Sequence, residues 1–445
     1  MDWPKVDREL LEHYSALIRI DTSNPPGNET KDVNYIKALF DREGIPNQTF
    51  ALDPARGNLV ARLKGNGSKR PVILMGHTDV VGVQREKWSV DPFAAIRKDG
   101  YVYGRGTQDD KPNLATSIMI MLMLKRMNIP LDRDVIFIAE AGEEGTAMYG
   151  IDYLVKEHWD AINAEYSLTE GGGGEARGSK IRFVNISTTE KVPRGTKLIA
   201  HGTAGHGSVP RQDNPVTHLA AAVAKVGTWE PPMRLNDTTR TYFERLATIS
   251  TPEEADRYNH VSDPKRSAAI QKYFSEHELT HYSMLRTSVV PTIINAGFRT
   301  NVIPSIAEAT IDVRALPDED MPRFLNELLR VINDPAVEVV AGDPGMQRPA
   351  APPSRLDTEL FHTLENVTKQ LYPGAVTLPS MLTGATDMAQ LRAKGVQSYG
   401  IGPIIDEKDR NVGGAHSDDE RLEEAALNRF MTFVWNVVTE IAAKK

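Results

Sequence analysis

Apolar residues recur along this chain in two rhythms, and the places where one gives way to the other mark its elements. Between Asp7 and Ile20, Leu10, Leu11, Tyr14, Leu17 and Ile18 fall at helical spacing, and Pro25-Pro26-Gly27 breaks the pattern. A second helix is predicted over roughly Val33 to Glu43. The rhythm then changes to short, near-continuous apolar runs: Asn58 to Leu63, Val72 to Met75, Val135 to Ala139 and Tyr166 to Leu168. Runs of that length read as strands buried on both faces. Helical patterns at Leu114 to Met127 and Tyr149 to His158 lie between them. The alternation predicts an α/β catalytic layer, a largely parallel mixed sheet flanked by helices.

Further on, Lys197 to Ala200, a Gly/His turn and a helical run from Pro215 to Val226 open a second α/β unit. Val289 to Arg314 and a helix near Phe324 to Ile332 complete it. The pattern predicts a small two-layer domain inserted into the first, dividing the chain into residues 1–193, 194–343 and 344–445. The first domain resumes after Ala341-Gly342-Asp343-Pro344-Gly345 and ends in a helix from about Glu420 to Ala443. Residues 230–285, polar and of mixed charge, read as an extra helical elaboration. A length of 445 residues fits more than one compact unit.

Composition narrows the function classes. The longest apolar stretch, Ile118 to Leu124, is far short of the ~18 residues a membrane helix needs, so no membrane partner is expected. Net charge is −8 and no Lys/Arg stripe interleaves with aromatics, which sets nucleic acid aside. The chain has no cysteine. That excludes disulfides, thiolate metal sites and a thiol nucleophile, and leaves His, Asp and Glu to hold any metal. The stretch Met1 to Lys5 lacks the apolar core of a signal peptide, and the chain reads as cytoplasmic or as a trimmed mature form.

In parallel sheets, ligands bind beyond the carboxyl ends of the strands. After Val72 to Met75 comes Gly76-His77-Thr78-Asp79; after Val135 to Ala139, Glu140-Ala141-Gly142-Glu143-Glu144-Gly145; after Tyr166 to Leu168, Thr169-Glu170-Gly171-Gly172. Three strand ends thus deliver His and Glu side chains to one rim. His77 and Asp79 point the same way along an extended segment, so Asp79 can orient the His77 ring or a water; a polar strand end is the plainer reading. Asp109, in Gly104-Arg105-Gly106-Thr107-Gln108-Asp109-Asp110-Lys111, can bridge two metals or simply cap the helix that follows. Glu143 and Glu144 are like charges in a Gly-flanked turn, tolerable in solvent or beside cations. Pointing apart, one can ligate a metal while the other takes a proton from a metal-activated water and passes it to the leaving amine. The glycines after Glu170 lack the spacing of a dinucleotide loop and lead into another strand. His416, in Gly413-Gly414-Ala415-His416-Ser417-Asp418, is loop-borne.

Taken in order, Gly-His-Thr-Asp, Gly-Arg-Gly-x-x-Asp-Asp-Lys, Glu-Glu-Gly, Glu-Gly and the late His-Ser-Asp-Asp-Glu resemble the dinuclear zinc metallopeptidase family of aminoacylase, carboxypeptidase G and S, and succinyl-diaminopimelate desuccinylase. The resemblance implies one zinc on His77, Asp109 and Glu170, and a second on Asp109, Glu144 and His416. It makes Glu143 the general acid/base and Asp79 the support of His77. Cobalt or manganese also suits such nitrogen and oxygen ligands. It implies that the inserted unit is a lid and dimerisation domain of a homodimer. There His206, in Gly202-Thr203-Ala204-Gly205-His206-Gly207-Ser208, steadies an oxyanion, often across the subunit boundary. Asn301 and Arg314 match lid segments that meet the substrate carboxylate, although Arg314 can equally pair with Asp312. Gly384 matches a turn offering backbone amides, with Ala385 where the family commonly has a second glycine. The implied reaction is hydrolysis of an amide bond beside a free carboxylate, in a dipeptide, a C-terminal peptide bond or an N-acyl amino acid. The rival readings are a ureido or carbamoyl amidohydrolase on the same fold, a non-catalytic homodimeric binding protein, and a nucleotide binder using the glycine-rich loop.

Overall fold

Six consecutive residues, Val72–His77, are buried, as are all six of Val135–Glu140. A strand covered on both faces has no polar side to show, which is why these runs lack alternation. In the computed structural model, which describes residues 1–342, 347–410 and 412–444, both strands lie in a ten-stranded sheet. Its order is Asn47–Ala51, Gly57–Leu63, Val135–Glu140, Val72–His77, Tyr166–Thr169, Gln397–Gly400, Lys180–Glu190, Gly173–Arg177 and Ile404–Asp406, with Val376–Leu382 paired to Lys180–Glu190. The four neighbours from Val135–Glu140 to Gln397–Gly400 run parallel, and antiparallel pairs flank them. The sheet is therefore mixed with a parallel centre.

Successive strand residues feed opposite faces. Val72 and Leu74 join a core with Leu10, Tyr14 and Leu17 of helix Trp3–Ile18, helix Lys111–Arg126 and helix Glu424–Ala442. Ile73 and Met75 pack instead against Ile151, Leu154 and Leu391. The last helix starts at Glu424 rather than near Glu420, because Arg421–Glu423 pairs with Tyr101–Tyr103 as a short strand. Three strands left unassigned by the apolar pattern, Val376–Leu382, Gln397–Gly400 and Ile404–Asp406, belong to this sheet. Pro379 interrupts the first of them; its strand pairs with Lys180–Glu190 alone, and proline is tolerated where one side of a strand is unpaired.

A second, antiparallel sheet runs Val192–Pro193, Ile306–Ala315, Thr196–His201 and Val337–Ala341, with Ser288–Ala296 paired to Ile306–Ala315. Helices Pro215–Gly227 and Met321–Ile332 cover one face through Leu219, Val226, Phe324 and Leu328. The stretch Val289 to Arg314 is three strands, Ser288–Ala296, Val302–Ile303 and Ile306–Ala315. The resumption of the first unit at Asp343 to Gly345 lies outside the described residues.

The elaboration at 230–285 folds as helices Asp237–Ala247, Pro252–Asn259, Ser267–His277 and Leu279–Met284. Capping boxes at Asn236/Thr239 and Thr251/Glu254 start the first two. Phe243, Tyr258 and Phe274 form their own apolar cluster, which rests on Leu378 and Met381. The helices thus pack on the first sheet, although the chain enters and leaves them from the second.

Candidate metal centre

The parallel strands end at one rim, and the loops leaving them converge there. His77 Nε2 lies 2.9 Å from one Asp109 carboxylate oxygen, and His416 Nε2 lies 3.2 Å from the other and 2.8 Å from Glu144 Oε1. Ligand atoms of His77, Asp109 and Glu144 lie within 4.8 Å of one another, as do those of His77, Glu143 and Glu170. Asp109 is thus the middle of the cluster, with an imidazole on each oxygen. The Asp109–Asp110 peptide is cis.

Buried contacts hold each loop in place. His77 Nδ1 pairs with the main-chain carbonyl of Asp79 at 2.9 Å, so that ring nitrogen is spoken for and Nε2 faces the cluster. The Asp79 carboxylate, fully buried, accepts the backbone N–H groups of Gly142, Glu143 and Glu144 at 3.0–3.1 Å and Asn24 Nδ2 at 2.7 Å. It therefore shapes the Glu143-Glu144 turn. Lys111, also buried, donates to Asp32, Thr22 and the Thr78 carbonyl, tying the first helix turn after Asp109 to the loop after His77. Glu420 accepts from Arg105 at 2.5 Å and from the N–H groups of Gly106 and Gln108, joining the Asp109 loop to the His416 loop.

Glu143 faces a cation. Arg348 Nη2 lies 2.6 Å from Glu143 Oε1, and its Nη1 lies 2.6 Å from Asp387. Burial pushes the Glu143 carboxyl up to about 8, with Arg348 pulling the other way. Behind it, burial and the facing Asp387 raise Glu140 well above the ordinary carboxyl range. Glu170 is likewise raised, by burial and by the charges of Asp109 and Glu143. Asp109 ends below its ordinary value: burial raises it, and hydrogen bonds from His416 and His77 outweigh burial.

The structure thus brings together His77, Asp79, Asp109, Glu143, Glu144, Glu170 and His416. The other candidates have their contacts elsewhere. His206 is exposed and bonded to Ser208 at 2.7 Å, Asn301 accepts from the Gly207 N–H, and Arg314 pairs with Asp312 at 2.8 Å. Gly384 lies in an exposed turn. Sequence reasoning did not single out Arg348, Asp387, Asn24, Arg105 or Glu420 as site-shaping residues. Arg348 is 205 residues from its partner, and no local pattern announces a contact across that separation; Arg105 and Glu420 stand inside the Gly-Arg-Gly-x-x-Asp-Asp-Lys and His-Ser-Asp-Asp-Glu motifs, which were the visible signal for them.

The donor set fits divalent cations. Asp109, Asp110, Glu143, Glu144 and Glu170 crowd two imidazoles in a mostly buried volume, and Arg348 is the cation that meets Glu143. So many carboxylates out of water require positive charge beside them. Nitrogen and oxygen donors without sulfur suit zinc, cobalt or manganese.

A carboxylate and imidazole cluster of this kind, at the carboxyl rim of a parallel sheet centre, defines a metal-dependent hydrolase. The chain belongs to peptidase family M20/M25/M40, whose model matches residues 73–440. It is 27% identical over 448 residues to the N-fatty-acyl-amino acid synthase/hydrolase PM20D1 of Xenopus tropicalis, covering 96% of this chain and 85% of that one. It is also 27% identical to a probable succinyl-diaminopimelate desuccinylase of Staphylococcus aureus, over 94% of each chain. The fold matches the M20 family metallo-carboxypeptidase Sso-CP2 of Sulfolobus solfataricus with a TM-score of 0.73 at 18% identity, over 97% of this chain and 99% of that one.

Proposed function

We propose that this enzyme hydrolyses an amide bond next to a free carboxylate, in an N-acyl amino acid or a peptide with a free C-terminus. The observation that carries this reading is the Arg348 guanidinium, 2.6 Å from Glu143 at the edge of the ligand cluster. A cation shared between Asp387 and the proton carrier suits a leaving amine that bears a carboxylate, because Glu143 gives up its claim on the guanidinium once it has taken the proton. In this reading His77, Asp109 and Glu170 hold one cation and Asp109, Glu144 and His416 the other, with zinc as the native pair. When bound, such cations polarise the scissile carbonyl and acidify water. Glu143 takes the proton of the attacking water at its carboxylate and returns it to the departing nitrogen. Asp79 keeps the Glu143-Glu144 turn in register, which fixes where that carboxylate points.

The second sheet is read as a lid and dimerisation domain, residues 194–343, between catalytic segments 1–193 and 344–445. Its strand Ser288–Ala296 has one partner and shows Val290, Ile293 and Ile294 to solvent; Phe298 beyond it is 82% exposed. An unprotected apolar edge of this kind is a pairing surface, and a second copy fits it. His206 then serves the partner subunit's cluster, and Arg314, Asn301 and the Gly384 turn meet substrate on closure.

The test is metal content per chain together with hydrolysis of N-acyl amino acids, dipeptides and their C-terminal amides. Two cations per chain and activity lost on chelation, with the amides refused, are expected. Equal turnover of acids and amides would sink the free-carboxylate reading. Preference for carbamoyl substrates would favour the ureido alternative.

A further inference from the structure

Beside the ligand cluster opens a cavity of about 360 Å³. Asp109 and Glu170 stand at its mouth, and its floor is three neighbouring strands of the first sheet, Ile404–Asp406, Gly173–Arg177 and Lys180–Glu190. The strand register writes the floor as two rows. Next to the mouth, Gly173 lies between Asn185, its register partner, and Pro403. One row on, Glu175 lies between Phe183 and Ile405. Residues two apart in a strand share a face and rise about 7 Å, so Gly173 and Glu175 both look into the cavity.

The glycines of this strand have different reasons. A Cβ at Gly172 would come within 2.2 Å of the Gly400 carbonyl oxygen and one at Gly174 within 2.6 Å of the Phe183 oxygen, so close strand packing excludes side chains there. At Gly173 the nearest atom is the Pro403 oxygen at 3.0 Å. The Gly173 φ of +144° also favours glycine, and with no side chain there the cavity keeps that space. Glu175 closes the far end. Arg182 and Arg410 both pair with it, and Arg182 also reaches the Ile249 carbonyl at 3.3 Å, in the loop after the first helix of the 230–285 elaboration. That elaboration therefore braces the end wall.

Resting on the function proposed above, we infer that this cavity is the subsite for the acyl side of the scissile bond, with Glu175 as its end stop. The side follows from the cluster. Glu143 and Arg348 mark the edge where the leaving amine and its carboxylate lie, whereas the cavity opens past Asp109 and Glu170. The class follows from the walls. Gln108, Asp110 and Asn113 make the cluster side polar, but Phe183, Ile401, Ile405 and Leu422 are apolar, the charge of Glu175 is matched by two arginines, and the volume is at the low end of the roughly 300–1,000 Å³ usual for small-molecule pockets. The subsite takes an uncharged, bulky apolar acyl group of limited length.

The experiment compares kcat/KM for N-acetyl, N-hexanoyl and N-dodecanoyl forms of one amino acid, in the wild type, Asn185→Phe and Glu175→Ala, with bound metal measured in each. Filling the row beside Gly173 in Asn185→Phe should lower the hexanoyl-to-acetyl ratio by about tenfold or more, the scale at which a pocket reads one or two methylenes. Removing the end stop in Glu175→Ala should raise the dodecanoyl-to-hexanoyl ratio by about as much. Should Glu175→Ala fail to fold, the Asn185→Phe ratio decides alone. Acyl ratios within twofold of wild type in both variants overturn the subsite and leave the proposed function standing. A metal-loaded wild type that hydrolyses no member of the series overturns both.

Discussion

The rim of the first sheet and the outer surface of the second handle their polar residues in opposite ways. At the rim, His77 is held by its neighbour Asp79, but the others are held from a distance: Asp79 by Asn24 and the turn at 142–144, the Asp109 loop by Glu420, Glu143 by Arg348. In the second unit, His206, on a two-stranded ribbon with Val302–Ile303, bonds to Ser208 two residues away, and Arg314 of the second sheet to Asp312 two residues away. The first arrangement is complete within one chain, with positions set before substrate arrives. In the second, the side chains of His206 and Arg314 bond only two residues away, next to an apolar edge strand. Preorganised charge is effective where geometry must be tight; residues delivered by closure or assembly suit binding and release.

The sharpest way to break this contrast is Glu143→Gln. If the rim is complete and Glu143 carries the proton, kcat should fall by about 10²–10⁴ with bound metal unchanged. Retained activity would move the proton to another group.

His206→Ala should cost less, about 10²–10³ in kcat, as expected for one oxyanion donor. The distinguishing measurement mixes His206→Ala with Glu143→Gln. If His206 acts across a dimer, random mixing makes half of the dimers mixed, each with one intact site, and returns about a quarter of wild-type activity. Recovery no greater than the sum of the parents would place His206 in its own chain's site.

The smallest effect concerns the junction of the two regions. Lys191 is fully buried between the sheets, donating to Ser283 and Ser288. Burial pushes its pKa down to about 7; nearby Arg314 and Arg286 act in the same direction and Asp312 opposes them. Between about pH 7 and 10 the unfolded chain therefore binds more protons than the folded one, and stability rises with pH across that window. Lys191→Met should flatten the rise by about 1–3 kcal/mol, read from denaturant unfolding at pH 7 and pH 9. An unchanged slope would show that Lys191 keeps its charge in the folded state.

Much of the rim was legible because strand ends are legible. Val72 to Met75 and Val135 to Ala139 announce buried strands, and the residues following such strands share a rim whatever the loops do. Arg348 was not legible, nor was the Glu140–Asp387 contact, because each depends on how the 344–400 segment returns to the sheet. Val376–Leu382 was hidden by Pro379, which argues against a strand unless one side is unpaired. The 230–285 elaboration was visible as helical from its polar, mixed-charge composition, although the capping boxes that start its helices were not read. Their seat on Leu378 and Met381 was not, since chain order attaches them to the second sheet.

The hydrogen bonds between Glu420 and the Asp109 loop also have a temporal meaning. Chains emerge from the ribosome from the N-terminus, at about 5–20 residues per second, and domains fold as units. Strand Gln397–Gly400 fills a place between Tyr166–Thr169 and Lys180–Glu190, and His416 and Glu420 come later still. Until those segments are made, the growing polypeptide lacks a strand inside its sheet and the His416 side of the cluster. Chain order thus makes the cluster one of the late features to assemble, after the loop that bears His416 and Glu420 has been made.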